Sequence, residues 1–142
     1  LQMNRDHEGE ELLILFADLD HLKEINDSFG HIEGDFSIRH CAEVLKKVVG
    51  ADGIVGRIGG DEFCVVTLGN LKDGQQIIER IREESDAFNC TSDKDYYVEL
   101  SAGCTSVICR NGLVIADALR EADRALYEVK KLRRNSVKKI RL

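Results

Sequence analysis

The feature that most constrains the fold is a glycine-rich segment between two apolar stretches, residues 57–63. Strand-forming residues lie on both sides of it, at 54–55 and at 63–68. Two such stretches around adjacent glycines predict a β-hairpin with a tight turn. Gly59 and Gly60 permit positive φ angles, and they carry no side chain that would keep a ligand away from the backbone. The sequence therefore predicts a hairpin whose tip is open to a ligand.

Acidic side chains stand at two places that this hairpin would bring together. Asp61 and Glu62 follow the glycines, while Asp18 and Asp20 follow a continuous apolar run at residues 12–17. Such a run is typical of a central strand covered on both faces. If the two strands are neighbours, the carboxylates converge and favour a bound cation, because close like charges disfavour ionisation. Hard oxygen ligands favour Mg²⁺ or Mn²⁺ over zinc. A solvated acidic turn stays open as the alternative.

Composition narrows the class of protein. The chain has 142 residues, which suits one domain with one core, and 43% are hydrophobic without the long apolar run of a membrane span. The net charge of −6 argues against broad nucleic-acid binding. The five cysteines have no metal-ligand or disulfide spacing, so they are predicted to be small buried hydrophobes. We expect a cytoplasmic domain without direct membrane contact, although its parent protein could be membrane-anchored.

Strand-like and helix-like patterns alternate along the chain. After the first strand and besides the hairpin, the predicted elements are a helix at 22–29, a helix from Asp35 as N-cap to the residue before Gly50, a helix at 73–88, a polar turn at 89–95, a strand at 96–109 that may be broken near Gly103, a helix at 113–132 and a short strand at 137–142. We expect an α/β (α+β) sandwich in which helices pack around a mixed, largely antiparallel central sheet. Residues 1–142 are expected to form a single domain of a longer multidomain protein.

Several motifs, in order, resemble one family. Residues 18–35 are similar to the D-x-D-x-F-K-x-x-N-D-x-x-G-H-x-x-G-D pattern of diguanylate cyclases, and residues 59–63 spell the Gly-Gly-Asp-Glu-Phe signature of their GGDEF domain. Residues 122–130 resemble the family's A-D-x-A-L-Y-x-A-K helix. The resemblance implies a fold like the nucleotide cyclase and polymerase palm. It also implies condensation of two GTP into cyclic di-GMP with release of two pyrophosphates.

The resemblance also implies a metal site and a catalytic set. Asp18, the backbone carbonyl of Leu19, Asp61 and Glu62 would bind Mg²⁺ or Mn²⁺. Asp61 would accept the proton of the 3′-hydroxyl, Glu62 would act beside it, and Lys23 would be a compact cation for the GTP phosphates. Taken alone, Lys23 is equally well explained as a solvated helix lysine.

The remaining implied residues bind the rest of the substrate. Asn26 and Asp35 would read the guanine edge, although each is equally well explained as a helix cap. Gly59 and Gly60 would let the backbone pass close to the ribose and α-phosphate. The last implied pair, Lys130 and Arg134, would hold the terminal phosphates, with the arginine using its fork of donors.

The implied partners are GTP, a second copy of the domain in a catalytic homodimer, and an upstream sensory or regulatory domain. Three departures from the family pattern stand beside this. Arg133 replaces a usual glycine, the region before the first strand is short, and residues 50–53 lack the R-x-x-D of the family's inhibitory product site. The last departure predicts no feedback inhibition through that site.

The other two departures motivate an alternative, a non-catalytic GGDEF module that binds GTP or a protein partner. A third interpretation, an adenylate-type cyclase, fits the carboxylates but not the hairpin signature.

Overall fold

The computed structural model describes residues 11–51, 53–108, 124, 127 and 131. Arg124, Tyr127 and Lys131 are helical and exposed, in agreement with the helix predicted at 113–132. The turn at 111–112, the last strand at 137–142 and the phosphate-binding pair Lys130 and Arg134 lie outside the described residues, as does the region before the first strand.

The first strand, β1 (Glu11–Leu19), is the central element of the sheet. It pairs on one side with β3 (Glu62–Leu68) and on the other with β4 (Leu100–Ile108), and β2 (Ile54–Arg57) completes the order β2-β3-β1-β4. All neighbouring pairs among these described strands are antiparallel. Residues 12–19 are all buried, which explains why β1 is a continuous apolar run rather than an alternating one. The predicted α+β class with a largely antiparallel sheet is confirmed.

Two helices follow β1 almost without a connection. Helix α1 (Leu22–Phe29) ends at Gly30, and α2 (His31–Val49) begins at the next residue. Gly30 has a φ of 94°, a conformation that side chains disfavour, and this lets the chain turn sharply between the two helices. The prediction that Asp35 caps the second helix was wrong, because Asp35 lies within α2 and Gly30 is its N-cap residue.

The third helix, α3 (Leu71–Thr91), is longer at both ends than predicted. Asn70 accepts a hydrogen bond from the Asp73 N–H at 2.9 Å, and the Asp73 carboxylate accepts one from the Asn70 N–H at 2.9 Å. This capping box starts the helix before Asp73. The predicted polar turn therefore begins only at Ser92. Strand β4 begins at Leu100 instead of residue 96 and continues through Gly103 without a break.

The core lies between the sheet and the helices α2 and α3. Its largest fully buried side chains come from three strands and both helices: Leu15, Leu19, Leu45, Phe63, Val65 and Ile81. Among the described helices, none combines the length and apolar character needed to cross a membrane.

The cysteines match their prediction only in part. Cys41 is fully buried, and burial raises the pKa of its thiol to about 12. Cys64 and Cys104 are partly buried, with pKa values raised for the same reason. Cys90 is exposed on α3, so the expectation of a buried residue was wrong there. Cys109 lies outside the described residues.

Candidate active site

The hairpin tip is a four-residue loop, residues 58–61, between β2 and β3. The last paired residues are Arg57 and Phe63, and the Glu62 carbonyl accepts hydrogen bonds from the N–H groups of Ile58 at 2.9 Å and Gly59 at 3.4 Å. The loop is longer than the tight turn predicted. The positive φ that both glycines permit is not used, since neither has it. A Cβ added at Gly60 would meet nothing within 4 Å, so the backbone there is open to a ligand as predicted.

Arg57 fastens this loop and was assigned no role from the sequence. Its Nε donates to the Gly59 carbonyl at 3.0 Å, and its Nη2 donates to the Gly60 carbonyl at 2.8 Å. A guanidinium suits this task because its donors form a rigid fork. The only available sequence signal was a cation two residues before two glycines, whose carbonyls no side chain shields.

Sheet register brings the predicted carboxylates together. Asp18 lies opposite Glu62 in the β1–β3 ladder, and the Leu19 N–H donates to the Asp61 carbonyl at 2.8 Å. One oxygen from each of Asp18, Asp61 and Glu62 lies within 4.8 Å of the others. Asp18 is only 5% exposed, whereas the other two are half-buried. We call these three residues the carboxylate cluster.

The carboxylate cluster fits a hard divalent cation. Its three donors are all carboxylate oxygens, the type of ligand that Mg²⁺ and Mn²⁺ prefer, and they converge from two adjacent strands. Three carboxylates at this separation repel one another, so a bound cation would lower the free energy of the site. The structure thus contains a potential metal site. The predicted fourth ligand, the carbonyl of Leu19, remains a prediction.

Asp20 lies outside the carboxylate cluster. The Ser101 hydroxyl contacts both of its carboxylate oxygens, at 2.9 and 2.8 Å, and the Asp20 N–H donates to the Glu99 carbonyl at 2.8 Å. This residue therefore ties the end of β1 to β4.

The predicted guanine-binding residues lie on the two consecutive helices. Lys23 is exposed in the first turn of α1, and Asn26 follows one turn later, half-buried. Gly34 of α2 packs against the Asn26 amide so closely that a Cβ at Gly34 would lie 2.8 Å from Asn26 Cγ. Asp35, exposed, follows Gly34 directly. The structure therefore brings the backbone beside Asp35 against Asn26, and Gly34, to which the sequence assigned no role, makes this contact possible.

A cavity of about 490 Å³ lies elsewhere, between α1 and the segment that precedes β4. Its lining includes Glu24, Phe29 and Tyr97 but none of the described residues predicted to form the site. The carboxylate cluster is thus an open surface site separate from this cavity.

Comparison with known proteins assigns the fold and site to one class. The family model described as "Diguanylate cyclase, GGDEF domain" matches residues 1–136. The chain is 38% identical over 128 residues to the diguanylate cyclase DgcP of Escherichia coli, covering 88% of this chain and 37% of that protein. It is 35% identical over 135 residues to DgcP of Pseudomonas aeruginosa, covering 92% of this chain and 20% of that one.

Solved structures agree. The active GGEEF domain of a diguanylate cyclase from Vibrio cholerae has a TM-score of 0.78 at 29% identity, covering 92% of this chain and 81% of that one. The GGDEF domain of DgcB from Caulobacter crescentus, in complex with c-di-GMP, has a TM-score of 0.76 at 27% identity, covering 87% and 74%. The chain belongs to the GGDEF domain family of diguanylate cyclases. It spans less than two fifths of the length of the two curated relatives.

Proposed function

We propose that this chain is a diguanylate cyclase domain that condenses two GTP into cyclic di-GMP and two pyrophosphates. The observation that carries the proposal is the carboxylate cluster, whose oxygens lie within 4.8 Å of one another beside the open backbone of Gly60. Membership of the GGDEF family and relatives named as diguanylate cyclases support the same reaction.

Asp18, Asp61 and Glu62, with the Leu19 carbonyl, hold Mg²⁺ or Mn²⁺ in this proposal. When bound, the cation supplies positive charge to the phosphate oxygens of GTP. Gly59 and Gly60 leave room for the ribose and α-phosphate, because no side chain projects from the exposed loop. Lys23 balances phosphate charge from the first turn of α1, and Lys130 and Arg134 bind the terminal phosphates.

In the reaction, the 3′-oxygen of one GTP attacks the α-phosphorus of the other. A new phosphorus–oxygen bond forms, the bond from the α-phosphorus to the bridging oxygen breaks, and pyrophosphate leaves. The proton of the 3′-hydroxyl passes to the Asp61 carboxylate, beside which Glu62 completes the anionic site. Most of the rate acceleration comes from positioning and charge stabilisation.

Asn26 and Asp35 select guanine. The amide bonds the O6 and N3 side of the base, and the carboxylate accepts from the ring N–H and the exocyclic amino group. Adenine presents the opposite donor and acceptor pattern on its pairing edge, so the pair favours GTP over ATP. The contact between Gly34 and Asn26 supports this assignment because it brings the two helices together at these residues.

The reaction needs two copies of the domain. Each site holds one GTP, and two reciprocal attacks fit a two-fold symmetric homodimer. An upstream sensory or regulatory domain in the parent protein would control that pairing, with residues 1–142 acting as one catalytic unit.

The test is incubation of the chain, dimerised through a fused coiled coil, with GTP and Mg²⁺, followed by chromatography of the products. Cyclic di-GMP and pyrophosphate in a 1:2 ratio are expected, because each product molecule consumes two GTP. Binding of GTP without product would favour the non-catalytic signalling module instead. The absence of both binding and product would contradict every proposed role of the GTP-site residues.

A further inference from the structure

The connection between α3 and β4, residues 92–99, is fixed at its C-terminal end. The Asn89 side chain donates to the Val98 carbonyl at 3.0 Å and accepts from the Val98 N–H at 3.0 Å. The Glu99 carbonyl accepts from the Asp20 N–H. The connection is thus anchored to α3 and to the end of β1, and its middle residues are held against α1 and α2.

Three side chains form a polar network where this connection meets α2. The Tyr96 hydroxyl donates to Glu33 Oε1 at 2.6 Å, and the Lys94 Nζ lies 2.9 Å from the same oxygen. We call Glu33, Lys94 and Tyr96 the clamp. Both partners lower the pKa of Glu33, the tyrosine most, while burial and then Glu33 raise the pKa of Tyr96 to about 12. At neutral pH the clamp therefore contains a carboxylate, an ammonium group and a neutral phenol.

The clamp contacts both sides of the sharp turn at Gly30. The Tyr96 ring lies 5.0 Å from the ring of Phe29, the last residue of α1, measured between centroids. Beyond the turn, Lys94 Nζ lies 4.5 Å from the ring centroid of Phe36, in the second turn of α2. A cation over an aromatic face is attractive. The same two side chains thus hold the end of one helix and the start of the next.

Glu33 directly precedes Gly34, which abuts Asn26, and Asp35 follows. Any change in the angle between α1 and α2 would therefore move Asn26 relative to Asp35. We propose that Glu33, Lys94 and Tyr96 are positioning residues that fix this angle and so set the affinity of the guanine-reading pair for GTP. The inference rests on the proposed function.

The chain offers a matched control on the same helix. Near the other end of α2, Lys47 Nζ lies 3.0 Å from Glu84 Oε1 of α3. The exposed fractions of the two glutamate side chains are similar, 28% for Glu33 and 33% for Glu84. Each pair joins α2 to another part of the chain, but only the clamp lies beside Gly34 and Asp35. A purely structural role predicts equal effects at both pairs, whereas a positioning role predicts an effect on GTP only at the clamp.

The experiment compares Tyr96→Phe, Glu33→Gln and Glu84→Gln with the unchanged chain. Tyr96→Phe keeps the ring against Phe29 and removes only the hydroxyl. Initial rates at varied GTP give kcat and KM, and urea denaturation gives the stability of each variant. We expect Tyr96→Phe and Glu33→Gln to raise KM for GTP roughly three- to tenfold, with kcat within about twofold, as for loss of one charge-assisted hydrogen bond. Glu84→Gln should leave both constants unchanged.

Two results would overturn the inference alone: unchanged KM in both clamp variants, or an equal rise in Glu84→Gln. If the unchanged chain binds GTP without turnover, the same comparison is made with dissociation constants from calorimetry, and the same fold-changes are expected. If it binds no GTP at all, the proposed function fails and the inference fails with it. The behaviour of the unchanged chain therefore separates the two failures.

Discussion

The candidate site joins a half built on strands to a half built on helices, and different contacts hold each half. The carboxylate cluster lies on β1 and at the hairpin tip, where backbone hydrogen bonds set the register of Asp18 against Glu62. The guanine-reading pair lies on α1 and α2, where side chains set the geometry through the contact of Asn26 with Gly34 and through the clamp.

This difference has a mechanical consequence. A register shift of one residue would turn every side chain of β3 to the other face, so the strand half has few intermediate arrangements. Two helices joined at one glycine can change their angle gradually, and only packing prevents it. We therefore expect variants in the strand half to abolish chemistry and variants in the helix half to tune GTP affinity.

The largest effect is expected for Asp61→Ala. The variant lacks both a metal ligand and the acceptor of the 3′-hydroxyl proton, so kcat should fall by roughly a thousandfold. Its free energy of unfolding should change by less than about 1 kcal/mol, because a half-buried loop acid leaves a cluster of like charges. Initial rates and urea denaturation check both values.

The control for Asp61→Ala is Asp86→Ala, which removes an exposed acid from α3 and should keep full activity. Millimolar Mg²⁺ should also raise the melting temperature of the unchanged chain but not that of Asp61→Ala. Residual activity of Asp61→Ala above about a tenth of normal would refute its assigned role.

A smaller and different effect is expected for Asn26→Ala. Loss of hydrogen bonds to the base should lower kcat/KM for GTP by roughly 10- to 100-fold, mainly through KM, and reduce the preference for GTP over ATP. Ser28→Ala, on the same helix and exposed, is the matched control. A loss confined to kcat would place Asn26 in the catalytic half and remove the distinction between the two halves.

An intermediate effect is expected for Gly34→Ala. In most helix interiors this change stabilises by about 1 kcal/mol, but here the new Cβ would overlap the Asn26 amide. Because that amide ends a flexible side chain, it can rotate away with little loss of stability. We expect KM for GTP to rise about fivefold while the free energy of unfolding changes by less than about 1 kcal/mol. In the Asn26→Ala background the substitution should leave KM unchanged.

The smallest effect concerns the clamp and pH. The pKa of Glu33 is lowered in the folded chain by its hydrogen bonds from Tyr96 and Lys94, so the unfolded chain binds the proton more readily. The stabilisation is therefore present above the usual value of 4.5 and is lost as pH falls through the lower folded value. Melting temperatures of the unchanged chain and of Glu33→Gln should differ most near pH 7 and converge near pH 3. A constant difference across that range would show that the charge of Glu33 contributes nothing.

How much could be predicted from the sequence depended on the range of the interactions. The strand β1, the hairpin and helix α1 followed from hydrophobic runs and glycines, which act locally. The start of α2 was misplaced because Asp35 resembles an N-cap, whereas the chain already turns at Gly30. The length of α3 was underestimated because the capping box of Asn70 and Asp73 was not recognised.

Within the site, residues with distinctive chemistry were predictable and those that support them were not. The residue types and motif spacing identified Asp18, Asp61 and Glu62, and the structure brings their oxygens together. Arg57, Gly34 and the clamp were missed, since each acts on a backbone or side chain whose position depends on the fold. A glutamate, a lysine and a tyrosine far apart along the chain give no local signal that they meet.

The sequence by itself determined which elements form, where acids and glycines stand, and to which family the chain belongs. Only the tertiary structure decided the sheet order, the register that sets Asp18 against Glu62, and the packing of Gly34 on Asn26. The physical reason is that hydrophobic periodicity and turn preference are properties of neighbouring residues. Register and helix packing are instead set by contacts between residues far apart in the chain, and such contacts exist only once the whole core has formed.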